Sequence, residues 1–154
     1  MEVFLDYKLH KNLISYDLCD KIACSFKDNS IYGPHDIGDW NRITKGPLYT
    51  EILEIFSPVI PDNFTVTQIH ITEYKKGDRL SSHVDPNSNL TVVCEISSAI
   101  EGGRFVINRD TYIKLNKGDA VTFNGGKIEH GVEAIAKGNR VSLNIWMQLD
   151  RGFF

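Results

Sequence analysis

The sequence has few cysteines, no long apolar run and no large excess of charge of either sign. It contains three cysteines, Cys19, Cys24 and Cys94, and no C-x-x-C pair. An odd number of cysteines without that spacing argues against a disulfide framework and a thiolate zinc site. No apolar run approaches the roughly 18–20 residues that a membrane-spanning helix needs. The formal net charge is only −3, so no general electrostatic attraction to nucleic acid or anionic membranes is expected.

The overall composition is that of an ordinary folded domain. The 154 residues are 42% hydrophobic and 24% charged, and this length suffices for a core without disulfides. Residues 1–6 lack a basic region followed by an apolar stretch, so we expect no signal peptide and predict a cytoplasmic protein with reduced thiols. We expect one domain over 1–154, with helices within about 11–60 and a β core at about 64–149.

Two amphipathic helices are predicted before the β core. Ser15 is a favoured N-cap for a helix over 16–27, and Asp17 in the first turn faces the positive helix end. The second helix begins at Pro47, a favoured first position, and ends before Ser57-Pro58. Each has one apolar stripe, so each should pack against a larger element. The stripes are Cys19, Ile22, Ala23 and Phe26, and then Leu48, Ile52, Ile55 and Phe56.

From residue 64 onward the pattern changes to short strands separated by glycine-rich turns. Such a succession is typical of a sandwich, jelly roll or barrel, with the two helices covering one outer face. The predicted fold is therefore mainly β with buttressing helices. The predicted strands cover residues 64–74, 79–84, 89–97, 103–108, 111–115, 119–123, 128–135 and 139–149.

Three residues in this β region are candidate metal ligands. His83 and Asp85 stand at i and i+2, so in a strand their side chains share one face. His130 follows 45 residues after Asp85, and a jelly roll brings such distant strands together. Two histidines and one carboxylate leave coordination positions open, as in non-haem Fe(II) oxygenases. The alternatives are a chance His-x-Asp pair and a turn histidine that is satisfied by its own backbone.

The last predicted strand carries a second candidate site. Residues 140–148 alternate strictly, with polar and aromatic side chains on one face, among them Arg140, Ser142 and Trp146. A solvent-facing strand would explain the polar face, but Trp146 and the nearness to His130 favour a binding site. The planar fork of an arginine suits a carboxylate, and Ser142 adds a hydroxyl on the same side. Tyr74 could supply another hydroxyl, or be an ordinary core tyrosine.

Taken in order, these motifs resemble the 2-oxoglutarate- and Fe(II)-dependent dioxygenases, and most of all their prolyl 4-hydroxylase-like branch. The resemblance covers about residues 64–149, and residues 13–22 are similar to that branch's opening helix. The motifs are Tyr74-x-x-Gly77, His83-x-Asp85-Pro86, Gly102-Gly103, His130-Gly131-Val132 and Arg140-x-Ser142-x-x-x-Trp146. The resemblance implies a double-stranded β-helix, the jelly-roll barrel of this superfamily, with Gly102-Gly103 bending the chain beside the barrel mouth.

The resemblance also implies a role for each site residue. Fe(II) would be bound by His83, Asp85 and His130. Arg140 would pair with the C5 carboxylate of 2-oxoglutarate, Tyr74 and Ser142 would hydrogen-bond this co-substrate, and Trp146 would line the pocket. The family varies at Asn144. No second co-substrate tyrosine follows Asp85, and that region instead holds Thr91, Val92, Cys94 and Glu95.

The implied reaction is hydroxylation of an unactivated C–H bond, most often of a prolyl residue in a peptide or protein, with release of succinate and CO2. O2 would be the second co-substrate, and ascorbate would support turnover. A free amino acid or another small molecule is the alternative substrate, and nucleic acid is disfavoured because no basic, aromatic-rich groove is evident.

Two other functions remain open at this stage. One is a non-catalytic, cupin-like metal-binding module, and the other is a zinc hydrolase, although its helical H-E-x-x-H motif is absent. A substrate lid is predicted at residues 28–46, with 75–82 as second choice. Within the loop over 30–40, the residues that could touch a substrate are His35, Asp36, Asp39 and Trp40.

Overall fold

The computed structural model describes residues 7–25 and 40–150, and of Trp40 and Asn41 it describes the backbone only. Its helices are α1 (Tyr16–Ser25) and α2 (Pro47–Phe56), and a 3₁₀ turn follows at Ser57–Val59. Its strands are β1 (Tyr7–His10), β2 (Trp40–Ile43), β3 (Phe64–Tyr74), β4 (Leu80–His83), β5 (Leu90–Ser97), β6 (Glu101–Gly102), β7 (Phe105–Ile107), β8 (Thr111–Ile113), β9 (Ala120–Phe123), β10 (His130–Val132), β11 (Ile135–Lys137) and β12 (Arg140–Leu149). Within these residues no helix is long and apolar enough to cross a membrane.

Both helices begin where the sequence predicts. The hydroxyl of Ser15 accepts a hydrogen bond from the backbone N–H of Leu18 at 3.1 Å, which is an N-cap contact. Helix α2 opens at Pro47 as predicted. Among the described stripe residues the prediction for Ile55 is wrong, because Ile55 is 40% exposed, and Phe26 lies outside the described residues. The buried face of α2 is centred instead on Ile52 and Phe56 and extends toward Tyr49 and Leu53, which places Ile55 at its margin.

A six-stranded antiparallel sheet in the order β1-β9-β5-β12-β3-β2 forms the main layer. The alternation predicted for β12 is confirmed. Its apolar side chains, Val141, Leu143, Ile145 and Met147, lie in one core cluster with residues of α1 and α2, so the helices cover this face of the sheet. The other face of β12 carries Arg140, Ser142, Asn144 and Trp146 into a cavity.

A four-stranded sheet in the order β4-β10-β7-β8 packs on that second face. Side chains from both sheets form the core between them, among them Val93 and Phe123 from the larger sheet and Phe105 and Ile113 from the smaller one. Two antiparallel sheets enclosing one core form the double-stranded β-helix that the sequence predicts. The expected single domain over 1–154 stays a prediction.

The strand pattern differs from the prediction in a few places. Strands β1, β2 and β6 were not predicted, since each has only two to four residues, too few for a period of two to be recognised. The predicted strand over 128–135 is two strands, because the chain leaves β7 after Val132 and pairs with β6 from Ile135. The predicted bend at Gly102-Gly103 is present, with φ of 78° and 74°. It lies against Ile135 and the stem of Arg140, where a Cβ on Gly103 would meet the Ile135 side chain at 2.5 Å.

Candidate metal centre and carboxylate site

The two candidate histidines lie directly opposite each other in neighbouring strands. His83 ends β4, His130 begins β10, and the two are register partners in an antiparallel pair. Their ring centroids are 4.6 Å apart. The strands approach closely because residue 131 is glycine, and a Cβ there would stand 2.5 Å from the carbonyl oxygen of Leu80. The sequence His130-Gly131 therefore brings both imidazoles to one place.

Asp85 reaches the same place from outside the strand. Strand β4 ends at His83, so the predicted i, i+2 strand geometry does not extend to Asp85. Its backbone N–H donates to the carbonyl of Gly125 at 2.7 Å, which fixes the turn. Its carboxylate oxygens lie 3.3 Å from Nε2 of His83 and 2.8 Å from Nε2 of His130. Among the described residues, His83, Asp85 and His130 form the one group able to hold a metal ion, with their ligand atoms within 4.8 Å of one another.

Backbone carbonyls orient both imidazoles. Nδ1 of His83 donates to the carbonyl of Ser81 at 2.7 Å, and Nδ1 of His130 donates to the carbonyl of Ile128 at 2.9 Å. A carbonyl oxygen only accepts, so each ring carries its proton on Nδ1 and presents Nε2 toward Asp85. This is the arrangement that usually orients histidine ligands around a metal.

The electrostatics of the group favour charge on the carboxylate. Burial alone would raise the pKa of Asp85, but hydrogen bonds from His130 and His83 hold it well below its ordinary value. The hydrogen bond that His83 donates to Asp85 raises the pKa of His83 against the opposing effect of burial. Asp85 is therefore ionised at neutral pH, as a ligand must be, and a metal would compete with a proton at His83.

The metal candidates open into a cavity of about 520 Å³ that Arg140 also lines. Arg140 is 1% exposed, and its Nε donates to a carboxylate oxygen of Glu95 at 2.8 Å. Its Nη1 and Nη2 are buried and make no hydrogen bond to any residue that the structure describes. Buried donors without acceptors are rare in folded proteins, so this pair marks a place for an anionic ligand.

The other predicted cavity residues lie beside Arg140 and along β12. The guanidinium carbon of Arg140 stands 5.3 Å from the ring centroid of Tyr74. Burial raises the pKa of Tyr74, so its hydroxyl remains a donor at neutral pH. Ser142 is buried, and its hydroxyl accepts from the amide of Asn144 at 3.2 Å. Trp146 packs edge-on against His70, with centroids 5.6 Å apart. The four residues predicted for the co-substrate site all line the cavity, namely Tyr74, Arg140, Ser142 and Trp146.

The sequence prediction placed Asn144 on the polar face of β12 without assigning it a role, and it assigned none to two other polar residues of this region, His70 and Glu95. His70 and Asn144 line the cavity, and burial lowers the pKa of His70 to about 3, which keeps it neutral. Side chains on one face of a strand recur every second residue, so counting back from Tyr74 along β3 places His70 on the cavity face. This spacing could have identified His70 as a cavity residue. Glu95, the partner of Arg140, could have been noticed as a lone carboxylate within the apolar strand β5.

The lid predictions are only partly covered by the structure. His35, Asp36, Asp39 and most of the 28–46 segment lie outside the described residues, and Trp40 is described only as the first residue of β2. In the second segment, 75–82, the residues Asp78, Arg79 and Leu80 line the cavity.

The residues present fit both groups that the motifs imply. The Nε2 atoms of two imidazoles and a carboxylate form a donor set that suits Fe(II) and leaves positions open for other ligands. The two buried Nη groups of Arg140 fit one carboxylate of a dicarboxylic acid, which would supply the acceptors that they lack.

Solved structures with the same fold include two prolyl hydroxylases. The viral collagen prolyl hydroxylase of Paramecium bursaria Chlorella virus 1, as its 2-oxoglutarate complex, matches with a TM-score of 0.74 at 15% identity, over 96% of this chain and 97% of that one. A Pseudomonas putida prolyl 4-hydroxylase matches with a TM-score of 0.69 at 17% identity, over 96% of this chain and 94% of that one. HygX of Streptomyces hygroscopicus, with nickel, 2-oxoglutarate and hygromycin B bound, matches with a TM-score of 0.69 at 10% identity, over 94% of this chain and 83% of that one.

The family assignment comes from the sequence itself. No curated protein matches the chain. The sequence profile of the 2OG-Fe(II) oxygenase superfamily matches residues 69–148, which is more than half of the chain and contains all of the predicted site residues. The chain therefore belongs to the 2OG-Fe(II) oxygenase superfamily, whose members use Fe(II) and 2-oxoglutarate.

Proposed function

We propose that this oxygenase hydroxylates a C–H bond of a prolyl residue in a peptide or protein, and converts 2-oxoglutarate and O2 to succinate and CO2. One observation carries the proposal. A histidine, aspartate and histidine with converging ligand atoms share a cavity with a buried arginine that has two donors without acceptors.

Each site residue has a distinct role in this proposal. The metal ligands are His83, Asp85 and His130. The Nη groups of Arg140 hold the far carboxylate of 2-oxoglutarate, and the hydroxyls of Tyr74 and Ser142, which line the same cavity, hydrogen-bond this co-substrate. Trp146 closes the cavity wall beside them.

The protein contributes orientation and shielding. When bound, Fe(II) supplies the activation of O2 and the oxidation of 2-oxoglutarate that yield the hydroxylating oxidant. The carbonyls of Ser81 and Ile128 keep both Nδ1 protons, so each Nε2 stays available throughout the cycle. The side chains of Phe105 and Phe123 flank His130, with ring centroids 6.1 and 4.7 Å away, and they exclude water from that side.

The prolyl substrate is supported by the structural neighbours. Two of them are prolyl hydroxylases that align with 96% of this chain at TM-scores of 0.74 and 0.69. Each is also covered almost completely by this chain, over 97% and 94% of its length.

The test is an oxygenase assay on the full chain. Purified protein is supplied with Fe(II), ascorbate and 2-oxoglutarate, and succinate is measured with and without proline-containing peptides. We expect proline peptides to raise succinate formation and to gain the mass of one oxygen atom. Peptides in which alanine replaces proline are the matched control. Equal turnover with both sets would overturn the prolyl assignment, and metal binding without any succinate would favour a non-catalytic binding module.

A small-molecule substrate is the second candidate. HygX, which was solved with hygromycin B bound, has the same fold over 94% of this chain. The same assay distinguishes the two, because a panel of free amino acids and aminoglycosides would then raise succinate formation while peptides would not.

A further inference from the structure

The guanidinium of Arg140 already has one buried anionic partner. Glu95 on β5 is 4% exposed and Arg140 is 1% exposed, and one carboxylate oxygen accepts from Nε at 2.8 Å. This contact occupies Nε, whereas Nη1 and Nη2 make no hydrogen bond to Glu95. The ion pair therefore presents one defined edge of the guanidinium to an incoming carboxylate.

A second carboxylate at Arg140 creates a charge imbalance. Arg140 and Glu95 together are neutral, so an added carboxylate would leave this dry cluster with one uncompensated negative charge. Burying such a charge is costly unless a group in the cluster is neutralised. The two carboxylates at Arg140 would be that of Glu95 and that of the incoming ligand. Of these, the carboxylate of Glu95 is the one fully enclosed by protein.

Glu95 has a hydrogen-bonding environment that accepts either protonation state. Its second oxygen receives the hydroxyl of Ser98 at 2.9 Å, and the same hydroxyl lies 3.3 Å from the backbone carbonyl of Leu115. If Glu95 gains a proton on this oxygen, it donates to Ser98, and the Ser98 hydroxyl turns to the Leu115 carbonyl. No polar group loses its partner in either state.

The proton also has a route that avoids the metal site. Glu95 and Ser98 line a second cavity of about 120 Å³, which is bordered by the exposed residues Arg104 and Lys114. Solvent can therefore exchange a proton with Glu95 from this cavity while 2-oxoglutarate fills the other one.

We propose that Glu95 is a positioning residue for the carboxylate site at Arg140, and that it takes up one proton from solvent through Ser98 when a dicarboxylate binds. This inference rests on the proposed function only in taking 2-oxoglutarate as the dicarboxylate. Its consequence is that the affinity for 2-oxoglutarate falls as pH rises, because Glu95 is then protonated in a smaller fraction of the protein molecules.

The charges around Glu95 agree with this assignment. Burial raises the pKa of Glu95, while Arg140 and the Ser98 hydroxyl oppose the shift and the carboxylate of Asp119 adds to it. Asp119 stays ionised, because backbone N–H groups of Asn12 and Asn116 hold its pKa low despite burial. The titratable and charged groups around Glu95 are Arg140, Tyr74, Cys19, Cys94, Asp119, Arg104 and Lys114.

The experiment measures proton uptake directly. Protein loaded with Mn(II), which supports binding without turnover, is titrated with 2-oxoglutarate in a calorimeter using buffers of different ionisation enthalpy. We expect the wild type to take up close to one more proton per bound 2-oxoglutarate than Glu95→Gln does. Glutamine keeps an acceptor for Nε of Arg140 and a donor for Ser98, so it mimics the protonated acid.

The pH profile gives a second readout. Above the pH at which Glu95 ionises, the wild-type dissociation constant should rise about tenfold per pH unit, since one proton is linked to binding, whereas that of Glu95→Gln should stay flat. Glu95→Ala removes the acceptor for Nε and should weaken binding at every pH. Glu54→Gln, on the exposed side of α2, is the control and should match the wild type.

The possible outcomes separate the two hypotheses. If no form of the protein binds 2-oxoglutarate, the proposed function itself fails. If the wild type and Glu95→Gln bind it with the same proton uptake and the same pH profile, the role of Glu95 is overturned while the proposed function stands. If Glu95→Gln unfolds, Ser98→Ala provides the test, and it should reduce the uptake because the neutral acid loses its acceptor.

Discussion

His83 and His130 are held in the same way: each ring donates its Nδ1–H to the carbonyl oxygen of the residue two positions earlier. The two residues are also register partners, so their rings lie opposite each other across the β4–β10 pair. Local backbone geometry thus sets the tautomer of each ring, and strand pairing sets the distance between them. Asp85 completes the group, with its carboxylate oxygens 3.3 Å from Nε2 of His83 and 2.8 Å from Nε2 of His130.

Replacement of either histidine should abolish metal binding. His130→Ala leaves one imidazole and one carboxylate, too few ligands to hold Fe(II) in an open three-ligand site. We expect loss of stoichiometric Fe(II) or Mn(II) binding by calorimetry and no succinate formation, and His83→Ala should behave alike. His10→Ala is the control, because His10 lies on β1 and bonds Thr122 outside the cavity. Wild-type turnover in either ligand variant would refute the metal assignment.

Metal affinity should fall in acid. Asp85 raises the pKa of His83, so this ring keeps its proton to a higher pH than a free histidine does. A metal must displace that proton, and the apparent dissociation constant should therefore increase as pH falls through the pKa of His83. Calorimetric Mn(II) titrations between about pH 5.5 and 8 span the range of an ordinary histidine and check this. A constant affinity over the range would contradict it.

The stability of the metal-free protein should show the opposite trend. A raised folded-state pKa means that the His83–Asp85 pair stabilises the fold fully below the unfolded pKa of histidine, and that this contribution is lost as pH rises through the folded value. We expect the metal-free protein to lose some resistance to urea across neutral pH, and His83→Gln to lack this component. If both proteins show the same pH dependence of unfolding, the pair does not stabilise the metal-free fold.

The long elements and the residues that line the cavity were predictable because each carries its own local signal. Strand β3 was predicted to the residue, and the period of two in β12 assigned Arg140 and Ser142 to the cavity face. The partners of these residues were harder to predict. Glu95 pairs with Arg140 across 45 positions, and nothing in either strand alone specifies that contact.

Short elements were missed for a related reason. Strand β2 consists of four residues that pair with the outer edge of β3, so its extended form depends on tertiary contact and not on its own pattern. The break between β10 and β11 likewise depends on a change of partner, from β7 to β6. Local periodicity cannot report a change of partner, and the prediction therefore merged the two strands.

Gly131→Ala should weaken both the fold and the metal site. An added Cβ would stand 2.5 Å from the Leu80 carbonyl oxygen and 3.2 Å from the backbone of Ser81 and Ser82, so β4 and β10 would have to separate. We expect a loss of stability on the order of 2 kcal/mol by urea unfolding. Because His83 and His130 sit on the strands that move, metal affinity should fall as well. Unchanged stability and affinity would mean that the strands relax at no cost.

Arg140→Ala should reduce 2-oxoglutarate binding and destabilise the protein, and the two effects can be separated. Removing Arg140 takes away the Nη donors, and at a pH where Glu95 is still ionised it also leaves a buried charge without its partner, which typically costs about 3–5 kcal/mol. Truncating Glu95 as well removes that charge, so the double variant Arg140→Ala/Glu95→Ala should recover part of the urea stability but none of the affinity. If the double variant is no more stable than Arg140→Ala, then Glu95 is not left as an uncompensated charge. If it binds 2-oxoglutarate as tightly as the wild type, Arg140 does not hold the carboxylate.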